Sequence, residues 1–358
     1  LILQFFNPTF VFSMEILDNA GAFSVSREPL QGLLNPLREG FTALRNFLDG
    51  QISAFEPEVQ PLVRECFLHS GKMLRPTLVF ALYADERLEC TEEVVKAAAI
   101  VELVHLATLV HDDILDEAEV RHRSATMVSR YDAHTAVLLG DALFAHALHL
   151  ASEFSTVEIC KVVSRATRQV CSGEIAQTFN RGSLPDRKAY FRMIDLKTAE
   201  LFKASAYLGA FLAGLANAER EAARSFARHL GIAYQILDDT ADIFAEEKSA
   251  GKTLGTDAAS GKATLPVLLW FQTLKGSERR TFVDHWNNGA PQLSQLRQRL
   301  WQDGVGEQLE RAFQDELANA GDALTHLASG HRKTRLSELA SFLDDSWNKV
   351  VPRRFQQV

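Results

Sequence analysis

The chain has 358 residues, 46% of them hydrophobic, and a formal net charge of −8. Interleaved charges with an acidic balance exclude a nucleic-acid footprint, which needs basic patches or stripes, so an anionic partner must be met by locally placed cations. The length and apolar content allow one large core, and no Pro/Gly/Ser-rich linker or internal repeat divides the chain.

Residues 1–12 are apolar, lack a basic flank and fall short of the ~20 residues that span a bilayer. Met14 reads as an initiator, so residues 1–26 are expected to be an extension of one domain covering residues 27–358. Charged residues interrupt the later apolar runs, and no transmembrane segment is expected. Cys66, Cys90, Cys160 and Cys171 form neither a disulfide framework nor a C-x-x-C pair, which points to reduced thiols and a cytoplasmic location.

Apolar residues recur at helical spacing, as in Leu30, Leu33, Leu34, Leu37 and Phe41, and strand-type alternation is scarce. The class is all-α, and the short turn signals between helical runs predict antiparallel neighbours. Residues 71–76, GKMLRP, open a helix and set Lys72 and Arg75 beside freed backbone N–H groups near Gly71.

A long helix is predicted between Thr91 and Asp116, with Thr91 as N-cap and Glu92 and Glu93 in the first turn. It is apolar on nearly every side over residues 94–110, as suits the middle of a bundle, yet it ends in Asp112, Asp113 and Asp116. Asp112 and Asp116 share a face, with Asp113 expected at the rim. The same spacing returns in Asp238, Asp239 and Asp242, after an apolar helical run over residues 226–237 that carries Gln235.

One D-D-x-x-D in a chain with 46 acidic residues is weak evidence and reads most simply as a solvated helix end. Two copies on two buried helices reverse that judgement. Carboxylates at helical spacing repel, and the dipole at a helix C-terminus disfavours anions, so cations must compensate. All-carboxylate ligation suits a hard ion, and Mg²⁺ is the usual one where substrate phosphates complete the octahedron. Arg121, Lys197, Lys252 and Lys262 are distributed to meet such phosphates; each alone would be an ordinary surface cation. No nucleophile elbow, P-loop or dinucleotide fingerprint is present, so ionisation of a diphosphate ester fits better than covalent catalysis. Asp344 and Asp345, in the motif-poor stretch beyond Trp270, read as a solvated face.

On these residues the chain resembles the trans-isoprenyl diphosphate synthase family over residues 71–270. GKMLRP (71–76), VHLATLVHDDILD (104–116), LLGDALFAHA (138–147), LKTAELF (196–202), AYQILDDTAD (233–242) and GKTLGTDAASGKATLP (251–266) stand in family order. The resemblance implies a bundle of long antiparallel helices around an apolar tunnel, a homodimer and three magnesium ions. Asp112, Asp116 and Asp238 would ligate metal directly, with Asp113, Asp239 and Asp242 supporting them or binding through water. Arg121, Lys197, Gln235, Lys252 and Lys262 would surround the allylic diphosphate, with Thr198 shaping the site beside the reacting carbons. Gly71, Lys72, Arg75, His105 and His122 would surround isopentenyl diphosphate. The implied reaction is head-to-tail condensation by ionisation, attack of the isopentenyl double bond and proton loss to the departed diphosphate.

The chain departs from the family at Arg121-His122-Arg123, where Arg-Arg-Gly is usual. An imidazole lacks the permanent, bidentate grip of a guanidinium, so isopentenyl affinity is expected to be weaker and pH-dependent unless Arg123 substitutes. Ala107 and Thr108 are small where bulky aromatics in the family stop growth early, so a product of C20 or longer is expected, with Leu103, Val104 and Phe144 as deeper floor candidates. A class I terpene cyclase would carry Asn and Ser or Thr in its second motif, and head-to-head synthases usually show D-x-x-x-D. A regulatory subunit of a heteromeric synthase would lose aspartates or phosphate-binding cations.

Overall fold

Residues 35–68, 71–84, 90–121, 124–245, 254–288 and 293–351 are described in a computed structural model; the expected extension, residues 1–26, lies outside them. A 3₁₀ turn leads into α1 (Arg38–Gln51), followed by α2 (Gln60–Leu68), α3 (Leu74–Tyr83) and α4 (Glu92–Leu115). A two-stranded antiparallel hairpin, β1 (Val120–Arg121) and β2 (Ser124–Ala125), then precedes α5 (Met127–Arg130), α6 (Ala133–Ser152) and α7 (Val157–Phe179). After α8 (Arg187–Ile194) comes a π-helical turn, Asp195–Ala199, then α9 (Glu200–Leu212) and α10 (Asn217–Phe244). The chain closes with α11 (Thr256–Ala259), α12 (Leu265–Thr273), α13 (Gly276–Asn288), α14 (Leu293–Gln302), α15 (Val305–Ala323) and α16 (His331–Val350).

Side-chain caps start the helices that carry the site. Thr91 accepts from Val94 N at 3.5 Å before α4, Asp132 from Thr135 N at 2.7 Å before α6, and Asp186 from Ala189 N at 2.7 Å before α8. Apolar all round, α4 has no solvent face to offer, so it sits at the centre, packed most extensively on α6 and also on α1, α3 and α9. Its carbonyl end is only partly exposed: Asp113 is buried, Asp112 and Asp116 are half-buried and Leu115 is exposed. On the amphipathic α10, buried residues from Ala222 to Phe244 face α9 and α15.

By length and composition α4 and α6 are both long and apolar enough to cross a membrane, which corrects the expectation that charges interrupt every run. Lys96 and Glu102 are too few to break an 18-residue apolar window in α4. Burial in the core accounts for the apolar character of α4, whereas α6 leaves Val137, Leu138 and Leu148 exposed.

Two glycines seat the π-helical turn. A Cβ on Gly173 of α7 would lie 2.5 Å from the Lys197 backbone N, and one on Gly231 of α10 would lie 2.8 Å from Ala199 Cα. Both helices thus press backbone to backbone on residues 195–199, and the wider turn swings Lys197 and Thr198 toward the ends of α4 and α10. At the other end of the bundle, α16 caps α3: Arg332 Nε donates to Leu82 O at 2.8 Å and Arg335 Nη1 to Ala84 O at 3.0 Å. This docking brings Phe342 beneath Lys72, whose Nζ stands 5.8 Å from the ring centroid.

Candidate active site

Every carboxylate of the first cluster meets a cation from another element. Lys197 Nζ lies 3.6 Å from Asp112 Oδ2, while also pairing with Glu174 and donating to Gln177 Oε1 at 2.8 Å. Arg121 Nε donates to Asp113 Oδ1 at 2.7 Å. Asp116, the C-cap of α4, accepts from Arg181 Nη2 at 2.7 Å on one oxygen and from Lys262 Nζ at 2.6 Å on the other. Asp113 is the most buried of the three, which corrects its expected place at the rim: Glu117, in the left-handed region at φ 51°, folds the chain back so that β1 lays Arg121 over it.

Charge balance in the cluster follows from this pairing. Burial raises the Asp112 carboxyl, with Lys197 opposing and Glu174 reinforcing the shift. Burial likewise outweighs Arg121 at Asp113 and holds it above the usual carboxylate range. At Asp116 burial is overcome by Lys262, Lys197 and Arg181, and the carboxyl falls below its ordinary value. Burial would lower Arg121, but Asp113, then Asp112 and Asp238, raise it. Arg121 therefore lies within electrostatic reach of Asp113 and Asp112 of the first cluster and of Asp238 of the second.

The second cluster divides into one half-buried carboxylate and two buried ones that serve the scaffold. Asp238, half-buried, lines a small pocket with Lys72, Tyr234, Leu237, Phe342, Leu343 and Ser346. Asp239 is buried, accepting from Tyr190 OH at 2.6 Å and Gln235 Nε2 at 2.8 Å. Gln235 Oε1 in turn accepts from Thr198 Oγ1 at 2.6 Å, so α8, the π-helical turn and α10 share one hydrogen-bond chain. Burial and neighbouring Asp257 push Asp239 upward, and burial beside Asp239 raises Tyr190 far above the ordinary phenol, keeping it a donor. Asp242 is also buried and accepts from Thr256 Oγ1 and Asp257 N, both at 3.3 Å, pinning the turn that follows α10.

Gly71, Lys72 and Arg75 gather at the start of α3, where Met73 adopts a left-handed φ of 49°. Arg75 is half-buried, its guanidinium 4.8 Å from the Phe202 ring centroid and its Nε shut off from solvent; burial lowers its pKa while Tyr234, Glu102 and Asp112 oppose the change. His105 is half-buried on α4, its carbonyl accepting from Thr108 Oγ1 at 2.6 Å. Leu103, Val104 and Ala107 are packed in the core, whereas Thr108 and Phe144 are half-buried, Phe144 with its ring 5.7 Å from that of His111. His122 and Lys252 lie outside the described residues. The thiols of Cys66, Cys90, Cys160 and Cys171 are all free.

Among the described residues no three His, Cys, Asp or Glu side chains already converge as a metal site; basic groups stand between the carboxylates. The donor set nevertheless fits a hard divalent ion. It is all oxygen, and Asp112, Asp116 and Asp238 keep partial exposure. Sequence reasoning missed Glu174, Gln177, Arg181, Tyr190 and Glu102. Arg181 fell within a stretch legible only as a turn, and Tyr190 lies on a helix that carries no motif.

A family model for polyprenyl synthetase matches residues 56–300. An all-trans-nonaprenyl-diphosphate synthase (geranyl-diphosphate specific) from Rhodobacter capsulatus is 31% identical over 86% of this chain and 95% of its own. Among solved structures, a decaprenyl diphosphate synthase from Rhodobacter capsulatus superposes with a TM-score of 0.81 at 28% identity, covering 87% of this chain and 98% of that one. A polyprenyl synthase from Caulobacter crescentus CB15, complexed with calcium and isoprenyl diphosphate, gives 0.81 at 28% identity, covering 89% and 98%. The chain belongs to the polyprenyl synthetase family. It is an enzyme of the alkyl-transferring class.

Proposed function

We propose that this chain condenses isopentenyl diphosphate head-to-tail, in trans, with an allylic diphosphate, giving a polyprenyl diphosphate of C20 or longer. The observation that carries this reading is the pairing of Asp112, Asp113 and Asp116 with Lys197, Arg121 and Lys262, cations drawn from three separate elements. Asp112, Asp116 and Asp238 would hold divalent ions, read as three Mg²⁺, with Asp113, Asp239 and Asp242 keeping them in position. Those ions supply Lewis-acid stabilisation of the departing diphosphate.

Lys197, Arg121 and Lys262 leave their carboxylates to donate to the allylic diphosphate, where hydrogen bonds to the anion strengthen as the C–O bond lengthens. Lys252 and Gln235 belong to the same shell. Lys72 and Arg75, with Gly71, His105 and His122, hold isopentenyl diphosphate so that its double bond attacks the allylic carbon and a new C–C bond forms. The proton lost from the adjacent carbon passes to the released diphosphate, so no side-chain base is needed. Thr198 is fixed by Gln235 beside the reacting carbons, and the apolar wall of Leu103, Val104 and Ala107 excludes water from the cation.

A homodimer in the cytoplasm is part of the reading. The apolar residues left exposed on α6, Val137, Leu138 and Leu148, support the first, and the free thiols agree with the second. The purified chain alone, given Mg²⁺, labelled isopentenyl diphosphate and allylic primers, is expected to incorporate label without a partner protein and to yield products of C20 or longer by chromatography. Incorporation only on addition of a second chain would instead make it a subunit of a heteromeric synthase.

A further inference from the structure

Of the cations that grip the first cluster, Arg121, Lys197 and Lys262 are the ones to which the family resemblance gives a phosphate role. Arg181 meets the same geometric criterion, with Nη2 2.7 Å from Asp116 Oδ1, and the resemblance assigns it nothing. It sits in the turn between α7 and α8, which is bonded to the turn carrying Lys262: Gly182 N donates to Gly261 O at 2.8 Å. Both glycines have positive φ, 74° and 73°, and a Cβ on Gly261 would stand 3.1 Å from Gly182 N. Two joined turns thus deliver two cations to opposite oxygens of one carboxylate.

Latching the turn does not require the second cation, because the Gly182–Gly261 hydrogen bond already joins the two turns and Lys262 already pairs with Asp116. The guanidinium also has capacity to spare. Its Nε is buried with no acceptor among the described residues, while the side chain as a whole is 27% exposed. A planar fork with unused donors, beside cations that pair with the same cluster, suits bidentate contact with phosphate oxygens.

Resting on the diphosphate reading of the site, we propose that Arg181 is a further diphosphate-binding residue, held on Asp116 in the metal-free protein and transferred to phosphate oxygens once Asp116 turns to a divalent ion. Removing a cation that competes for Asp116 leaves binding of metal alone intact or tighter, while binding of the anion weakens.

The test is calorimetric titration of the full chain, first with Mn²⁺ alone and then with inorganic pyrophosphate at saturating Mn²⁺. Arg181→Met is expected to bind Mn²⁺ at least as tightly as wild type and pyrophosphate about tenfold or more weakly. Pyrophosphate affinity within about twofold of wild type, or parallel losses for both ligands, would overturn the proposal. Wild type that binds no pyrophosphate in Mn²⁺ would instead remove the underlying reading of the site. Should Arg181→Met fail to fold, Arg181→Lys keeps the charge but loses the fork: weaker pyrophosphate with unchanged Mn²⁺ supports the proposal, and equal affinities for both overturn it.

Discussion

Lys262 Nζ and Asp116 Oδ2 meet at 2.6 Å across a separation of 146 residues, joining the end of α4 to the turn between α11 and α12. Lys262 Nζ also lies 3.8 Å from Asp257 Oδ1, and Asp257 N donates to Asp242, so the contact ties the first cluster to the segment that supports the second. Lys262→Met is expected to lower kcat/KM for the allylic substrate about 10- to 100-fold, the loss of a charge-assisted hydrogen bond, when measured by steady-state incorporation.

Tyr190 supplies one of two neutral donors to buried Asp239. Tyr190→Phe leaves a buried carboxylate oxygen without that partner and should destabilise the fold by about 1–3 kcal/mol in urea unfolding. The effect should be reduced in a Tyr190→Phe/Asp239→Asn double variant, because the two residues act on each other.

Glu102 lies in the core with neither carboxylate oxygen hydrogen-bonded, and burial, partly offset by the charge of Arg75, raises its pKa to about 7. A carboxyl whose folded pKa exceeds its unfolded one binds its proton more tightly when folded. Its stabilising contribution is present below the ordinary value of 4.5 and is lost as pH rises through about 7. Relative to Glu102→Gln, wild type should therefore lose on the order of 3 kcal/mol of unfolding free energy between pH 4 and pH 8. Parallel denaturation curves for the two proteins across that range would contradict the assignment.

His122 stands where the family carries arginine, and its imidazole is charged only on the acidic side of about pH 6.5. The isopentenyl KM should rise from mildly acidic to mildly basic pH. His122→Arg should flatten that profile; a wild-type profile already flat and equal to that of the variant would discard the idea.

Thr108 is half-buried one position beyond the fully packed Ala107. Thr108→Phe should shorten the product, read by chromatography, with little loss of stability. Ala107→Phe should add an overpacking cost of about 1–3 kcal/mol to any change in length.

The helices, the apolar centre of α4 and the two Asp clusters were legible in the chain because they depend on local spacing: a 3.6-residue period, a cap at Thr91 and four-residue intervals between carboxylates. The distribution of basic residues along the chain offered Arg121, Lys197 and Lys262 as candidates, and each pairs with a carboxylate of the first cluster. Spacing could not say which of six similar aspartates stay partly exposed. That depends on what packs beside each one: Tyr190 and Gln235 turn Asp239 into a support, the turn at Thr256 claims Asp242, and the hairpin covers Asp113. Nor could it bring Arg181 to Asp116, since that meeting joins a turn and a helix end 65 residues apart through tertiary packing. Local periodicity decides that a helix forms and what it presents; only the assembled core decides what each face meets, because burial and pairing are properties of neighbours distant in the chain.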